Sequence, residues 1–140
     1  MNKNKLLKKM SHFTCIKTKI KERPQLIEAL QVLGHDVQEN KQLVVNNPSH
    51  AEEHPEFHAA VGISSDIGFR LNKNTGNYEL VAELDTWDLD VPVNRFIEKV
   101  TQQYARQTVK SVVESEGFVV EREVVNMENN SVELLVSRWR

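Results

Sequence analysis

The sequence predicts an α+β fold: a mainly antiparallel sheet of about six to seven strands with two helices packed on one face. Three observations lead there. Short segments alternate apolar and polar residues with a period of two, as in Ile16–Ile20 and Val132–Val136. Two longer segments keep helical spacing instead. Neighbouring strand patterns are joined mostly by short turns, which suit antiparallel pairing, whereas parallel strands need a long crossover.

The first strand pattern runs from His12 to Ile20, with Ile16, Thr18 and Ile20 on one side and Lys17, Lys19 and Lys21 on the other. A helix follows, with Pro24 in its first turn, Leu26, Ile27, Leu30 and Leu33 on one face, and Gly34 at the expected left-handed C-terminal cap. Residues 41–46 read as a short strand that Asn47-Pro48 ends, and a polar, His-rich loop runs to Glu56. Ala59, Ala60, Val61 and Ile63 form the next strand pattern. Ser64-Ser65 connects it to Asp66–Leu71, where Ile67, Phe69 and Leu71 face one way and Gly68 and Arg70 the other. The turn formers of 72–77 predict a hairpin loop. The returning strand is expected to bury Tyr78, Leu80, Ala82 and Leu84 and to leave Glu79 and Glu83 outside. The longest element is a helix from about Pro92 to Glu116, carrying Phe96, Ile97, Val100, Tyr104, Ala105, Val109, Val112 and Val113, with Gly117 as its stop. Two strands close the chain, 118–125 and 132–139.

With 140 residues, the chain suits one domain, read as residues 11–140 behind a flexible basic tail over 1–10. At this size it buries roughly two-thirds of its unfolded surface and needs no disulfide or metal to fold. Hydrophobic content of 39% and charged content of 27% exclude a disordered class. No apolar run approaches the about 20 residues of a membrane span. Cys15 is the one cysteine, which excludes a disulfide framework and points to a reducing compartment; within its strand pattern it reads as a small buried hydrophobe. The net charge of -2 hides an asymmetry: residues 1–23 carry eight basic groups against Glu22, and the remainder ten basic against nineteen acidic.

The sharpest chemical motif is His50-Ala51-Glu52-Glu53-His54, which has the H-x-x-E-H order of an inverted zinc-peptidase site, with His58 four residues on. That chemistry needs both imidazoles on one helical face, and Pro55 disfavours helical geometry at His54. Adventitious surface histidines are the favoured reading, so no metal and no cofactor are expected. Gly62 and Gly68 lie in strand patterns, where a bulge or close backbone approach explains them better than phosphate binding. Asp85, Asp88 and Asp90 around Trp87 read as a solvated loop ahead of the long helix. Lys17, Lys19 and Lys21 offer charge to nucleic acid, but no aromatic accompanies them on that face.

Several blocks resemble the hypothetical chloroplast reading frame thirty-five family. They are Met10-Ser11-His12-Phe13, Asp66-Ile67-Gly68-Phe69-Arg70 and Tyr78-Glu79-Leu80-Val81-Ala82 with Trp87 after it. Val100-Thr101-Gln102-Gln103-Tyr104-Ala105, Gly117-Phe118 and the closing Val136-Ser137-Arg138-Trp139 continue the match, which covers roughly Ser11 to Trp139. The resemblance implies an organellar or bacterial soluble protein of similar length, without an established activity. Family members tend to start at the Met-Ser-His-Phe block, so translation is expected to begin at Met10, which leaves 14 basic against 20 acidic groups. Leu71 stands where members often place Trp, and the His-rich loop falls in a segment that varies, which weakens the zinc reading further.

Polar and amphipathic residues not needed for packing gather in these blocks: His12, Asp66, Arg70, Trp87, Arg106, Arg138 and Trp139. They are the candidate binding residues. The structural alternative is that Asp66 pairs with one of the arginines and fixes the sheet. With no catalytic constellation, the expected function is a non-enzymatic accessory module that binds a protein partner in the plastid stroma or a bacterial cytoplasm. Nucleic-acid binding through the basic first strand is the alternative, and a metal-dependent hydrolase at His50 and His54 ranks behind both.

Overall fold

The computed structural model describes residues 13–44, 56–126 and 131–138. In chain order they form β1 (Thr14–Lys17), α1 (Arg23–Val32), β2 (Gln38–Val44), β3 (Glu56–Gly62), β4 (Ile67–Leu71) and β5 (Tyr78–Ala82). A 3-10 turn (Leu84–Thr86), α2 (Val93–Ser115), β6 (Phe118–Asn126) and β7 (Ser131–Arg138) complete them. The fold is α+β, with every strand pairing antiparallel, as the alternating patterns imply.

The seven strands divide into two sheets, a five-stranded one in the order β1-β5-β4-β3-β2 and a separate hairpin of β6 and β7. β2 to β5 form a meander, while β1 and β2 occupy opposite edges and are joined through α1. The expected first strand is cut short. Thr18 donates its hydroxyl to the Tyr78 carbonyl and accepts from the Ile20 amide, so a side chain takes over where the ladder would continue. The inside–outside pattern survives this: Thr18 and Ile20 are buried, and Lys17, Lys19 and Lys21 are exposed.

Both helices obey their end signals. Pro24 lies in the first turn of α1, and Gly34 follows its C-terminus at φ 93°. Gly117 ends α2 at φ 92°, its amide donating to Glu114. Leu26 and Leu30 of α1 and Phe96 and Val100 of α2 pack with Val61, Ile67, Phe69, Tyr78, Leu80 and Ala82 in one cluster, so both helices cover the same face of the large sheet. The junction is fastened by Tyr104 of α2, whose hydroxyl accepts from the amides of Lys21 at 3.1 Å and Glu22 at 3.0 Å, just ahead of α1.

The other face of the sheet differs from expectation. All five residues of β5 are buried, and Glu79 and Glu83, expected outside, are 6% and 0% exposed. β5 is flanked by β1 and β4, and a second small core of Phe13, Leu43, Ala59 and Val81 encloses the face that bare alternation assigns to water. Gly62 and Gly68 stand directly opposite each other in the β3–β4 ladder. A Cβ on Gly68 would lie 2.8 Å from the Ala59 Cβ and 2.8 Å from the Val61 carbonyl oxygen, which is the close approach the glycines suggest.

Candidate interaction surface

Four of the sequence-flagged residues, Asp66, Arg70, Trp87 and Arg106, are held by hydrogen bonds to other side chains or backbone. Asp66, at the entry to β4, accepts from the Thr86 hydroxyl at 2.6 Å and from Ser64 Oγ at 3.2 Å. Thr86 also lies 3.0 Å from Glu83 Oε1, so one hydroxyl stands between two buried carboxylates. The pairing of Asp66 with an arginine is therefore replaced by two hydroxyls that the 3-10 turn and the 63–66 loop supply. Trp87, next in the chain to Thr86, donates Nε1 to the Val91 carbonyl at 2.8 Å and sets its ring edge-on to Phe96 with centroids 5.5 Å apart. It closes the end of the helix layer.

Arg70 faces away from the helices. Its Nη2 lies 3.4 Å from Glu79 Oε1, and Asn72 Nδ2 donates to Glu79 Oε2 at 2.9 Å. Lys17 stands opposite Glu79 on the other side of β5, so two cations flank the buried carboxylate. Arg106 donates to Gln103 Oε1 at 3.0 Å on α2. Arg138 sits 4.8 Å from the centroid of the Phe118 ring, its partner across the β6–β7 ladder. The structure thus brings Asp66 and Trp87 together through Thr86, and places Arg70, Arg106 and Arg138 on three other elements. His12 and Trp139 lie outside the described residues, as do His50 and His54 of the zinc-like motif. His58 is exposed on β3, and among the described residues no group of three His, Cys, Asp or Glu side chains is arranged to hold a metal ion.

Cys15 is exposed on β1, correcting its expected burial in the core. Strand alternation puts it on the side opposite Ile16. Desolvation is the main cause that raises its thiol pKa, with Glu79 adding to the rise and Arg70 opposing it. Against α2, His35 packs edge-on to the Phe96 ring, and burial lowers its pKa.

The surface that sequence reasoning missed lies at the C-terminal end. Beyond Tyr104 the apolar residues of α2 leave the core stripe. At about 100° per residue, Ala105, Val109 and Val112 fall on the opposite side from Phe96 and Val100. All three are exposed, Val109 by 48% and Val112 by 52%. The hairpin is apolar on both faces. An irregularity between Val120 and Arg122 inserts Glu121 as an extra residue, so that Arg122 pairs with Leu135, Glu123 with Leu134, and Val124 with Glu133. The face with Glu123, Leu134 and Val136 meets α2, where Lys110 Nζ lies 3.3 Å from Glu123 Oε2. The other face presents Val124 at 45% exposure and Leu135 at 52%, flanked by exposed Arg122 and Glu133. The signal for it was in the sequence as adjacent apolar pairs, Val119-Val120 and Leu134-Leu135, which a period-two strand must send to both faces.

Comparison with known proteins agrees with the blocks found along the chain. Residues 29–135 match the family described as protein of unknown function (DUF1257). Three relatives share the name "Uncharacterized protein ycf35". The one from Pyropia yezoensis is 32% identical over 136 residues, covering 93% of this chain and 98% of its own. That from Cyanophora paradoxa is 30% identical over 131 residues, covering 94% and 99%, and that from Guillardia theta 33% over 135 residues, covering 94% and 99%. No solved structure matches the chain significantly.

Proposed function

From the premise that the chain belongs to the DUF1257 family, together with the ycf35 proteins, we propose that it is a non-catalytic accessory module that docks a protein partner through its β6–β7 hairpin. The observation that carries this reading is the hairpin's outer face. An isolated two-stranded hairpin is marginally stable in water, and this one spends one face on α2 while keeping Val124 and Leu135 exposed on the other. Of the polar and amphipathic side chains that first suggested a site, Asp66, Arg70 and Trp87 support the same reading, because they hold neighbouring segments in place. The chloroplast-reading-frame name of the relatives supports a plastid setting, and the stroma, or the cytoplasm in a bacterium, belongs to the proposal. Among the described residues no helix is long and apolar enough to cross a membrane.

The test is cross-linked capture with purified chain as bait, comparing wild type with Val124→Glu and Leu135→Glu. Both variants are expected to melt as wild type does and to lose the captured partner. Capture that persists unchanged in both would overturn the assignment of the surface. Nucleic-acid binding keeps one observation in its favour, the exposed row of Lys17, Lys19 and Lys21. Affinity that falls steeply with salt and is lost on Lys→Ala exchange along that row would support it, and no retention on nucleic acid at low salt would end it.

A further inference from the structure

The outer face of the hairpin has a pattern that a second copy of the same chain fits. Pairing sets Arg122 beside Leu135 in one row and Val124 beside Glu133 in the next. Apolar side chains therefore occupy one diagonal of this square and opposite charges the other. All four residues are exposed. A self-complementary interface must work under a two-fold axis, so the candidate axes can be compared in turn. An axis along the strands, or across them, sets each charge on an apolar side chain. An axis along the Arg122–Glu133 diagonal stacks like charge on like. The axis along the Val124–Leu135 diagonal alone sets apolar against apolar and each Arg122 against the Glu133 of the second copy.

We propose that the partner of this surface is a second copy of the chain, the two hairpins packing face to face about the Val124–Leu135 diagonal. This rests on the reading of the hairpin as a docking surface and names its occupant. With strands about 4.8 Å apart and same-face residues about 6.8 Å apart along a strand, the diagonal lies about 35° from the strands. The strands of the two copies then cross at about 70°, nearer to orthogonal than to aligned sheet packing. At that crossing, two ribbons each about 9.6 Å wide overlap over on the order of 100 Å² per copy, against about 800 Å² per partner in a standard stable interface. The dimer is accordingly weak and depends on concentration.

Sedimentation velocity of the full chain from about 10 to about 500 µM tests this. The weight-average mass should climb from monomer toward dimer across that range. Arg122→Glu and Glu133→Arg should each weaken association about tenfold or more, and the combined exchange should restore it to within about threefold of wild type. Both sites are exposed, and matching thermal melts confirm that each variant folds. A dimer indifferent to the single exchanges, or a double exchange that fails to restore association, overturns the inference. A monomer throughout that still captures a different protein through Leu135 overturns this inference and leaves the docking surface standing. A monomer that captures nothing overturns both.

Discussion

Placing a methyl group on Gly68 probes the feature that lets the large sheet close on its second face. In Gly68→Ala the new Cβ meets the Ala59 Cβ and the Val61 carbonyl oxygen, each at 2.8 Å and well inside normal contact distance. One obstacle is a side chain; the other is backbone of a paired strand, which cannot step aside without opening the β3–β4 ladder. Overpacking of this kind costs about 1–3 kcal/mol, and the reduced freedom of the unfolded chain returns about 0.4–1 kcal/mol. A net loss of about 1.3 kcal/mol follows. At about 2.1 cal/mol/K per residue, the transition entropy of the 140-residue chain is about 0.3 kcal/mol/K, so Tm should fall by about 4 °C. Thermal unfolding followed by circular dichroism reads this directly. The double variant Gly68→Ala/Ala59→Gly separates the two obstacles: it removes the methyl–methyl clash, keeps the carbonyl clash, and should recover only part of the loss. A Gly68→Ala protein as stable as wild type would refute the close-approach argument, since it would show that β3 and β4 are not held at this separation.

Other expectations follow from the same geometry. Tyr104→Phe deprives the Lys21 and Glu22 amides of their shared acceptor; both residues are exposed, so water substitutes in part, and urea titration should show a loss of about 0.5–1.5 kcal/mol. Thr86→Val keeps shape but removes the hydroxyl between Asp66 and Glu83, and the same titration should show about 1–3 kcal/mol lost. His35 has its pKa lowered from the ordinary 6.5 by burial, so its contribution is complete above about pH 6.5 and is lost as pH falls below that, where the unfolded chain takes up the proton more readily. Melting curves of wild type and His35→Gln should therefore converge on acidification. Cys15 is exposed yet has a raised thiol pKa, so its alkylation by iodoacetamide at neutral pH should run slower than that of an unstructured cysteine peptide.

Local chemistry made several elements legible from residues alone. The helical spacing from Phe96 to Val100 and the glycines at 34 and 117 marked the helices and their ends, because each signal acts within one or two turns of its own segment. Alternation likewise placed Ile20 inward, Lys19 outward, and Arg70 on the face opposite Phe69. The candidate site was legible only in part. Asp66 and Trp87 do sit at one locality, but the partners of Asp66 are Ser64 and the distant Thr86, which no spacing rule connects to it.

What the sequence determined by itself was the run of strands and helices and which side of each strand is apolar, since these depend on neighbours a few residues apart. The tertiary structure alone decided how many layers lie against that pattern. Glu79 and Glu83 alternate outward correctly but end up enclosed, because β5 falls between β1 and β4 and the opposite face of the sheet has a core of its own. Val109, Val112, Val124 and Leu135 are as apolar as any core residue but stay exposed, because α2 leads into a hairpin separate from the large sheet. Burial depends on what long-range pairing brings alongside a residue, and period and propensity carry no record of that neighbour.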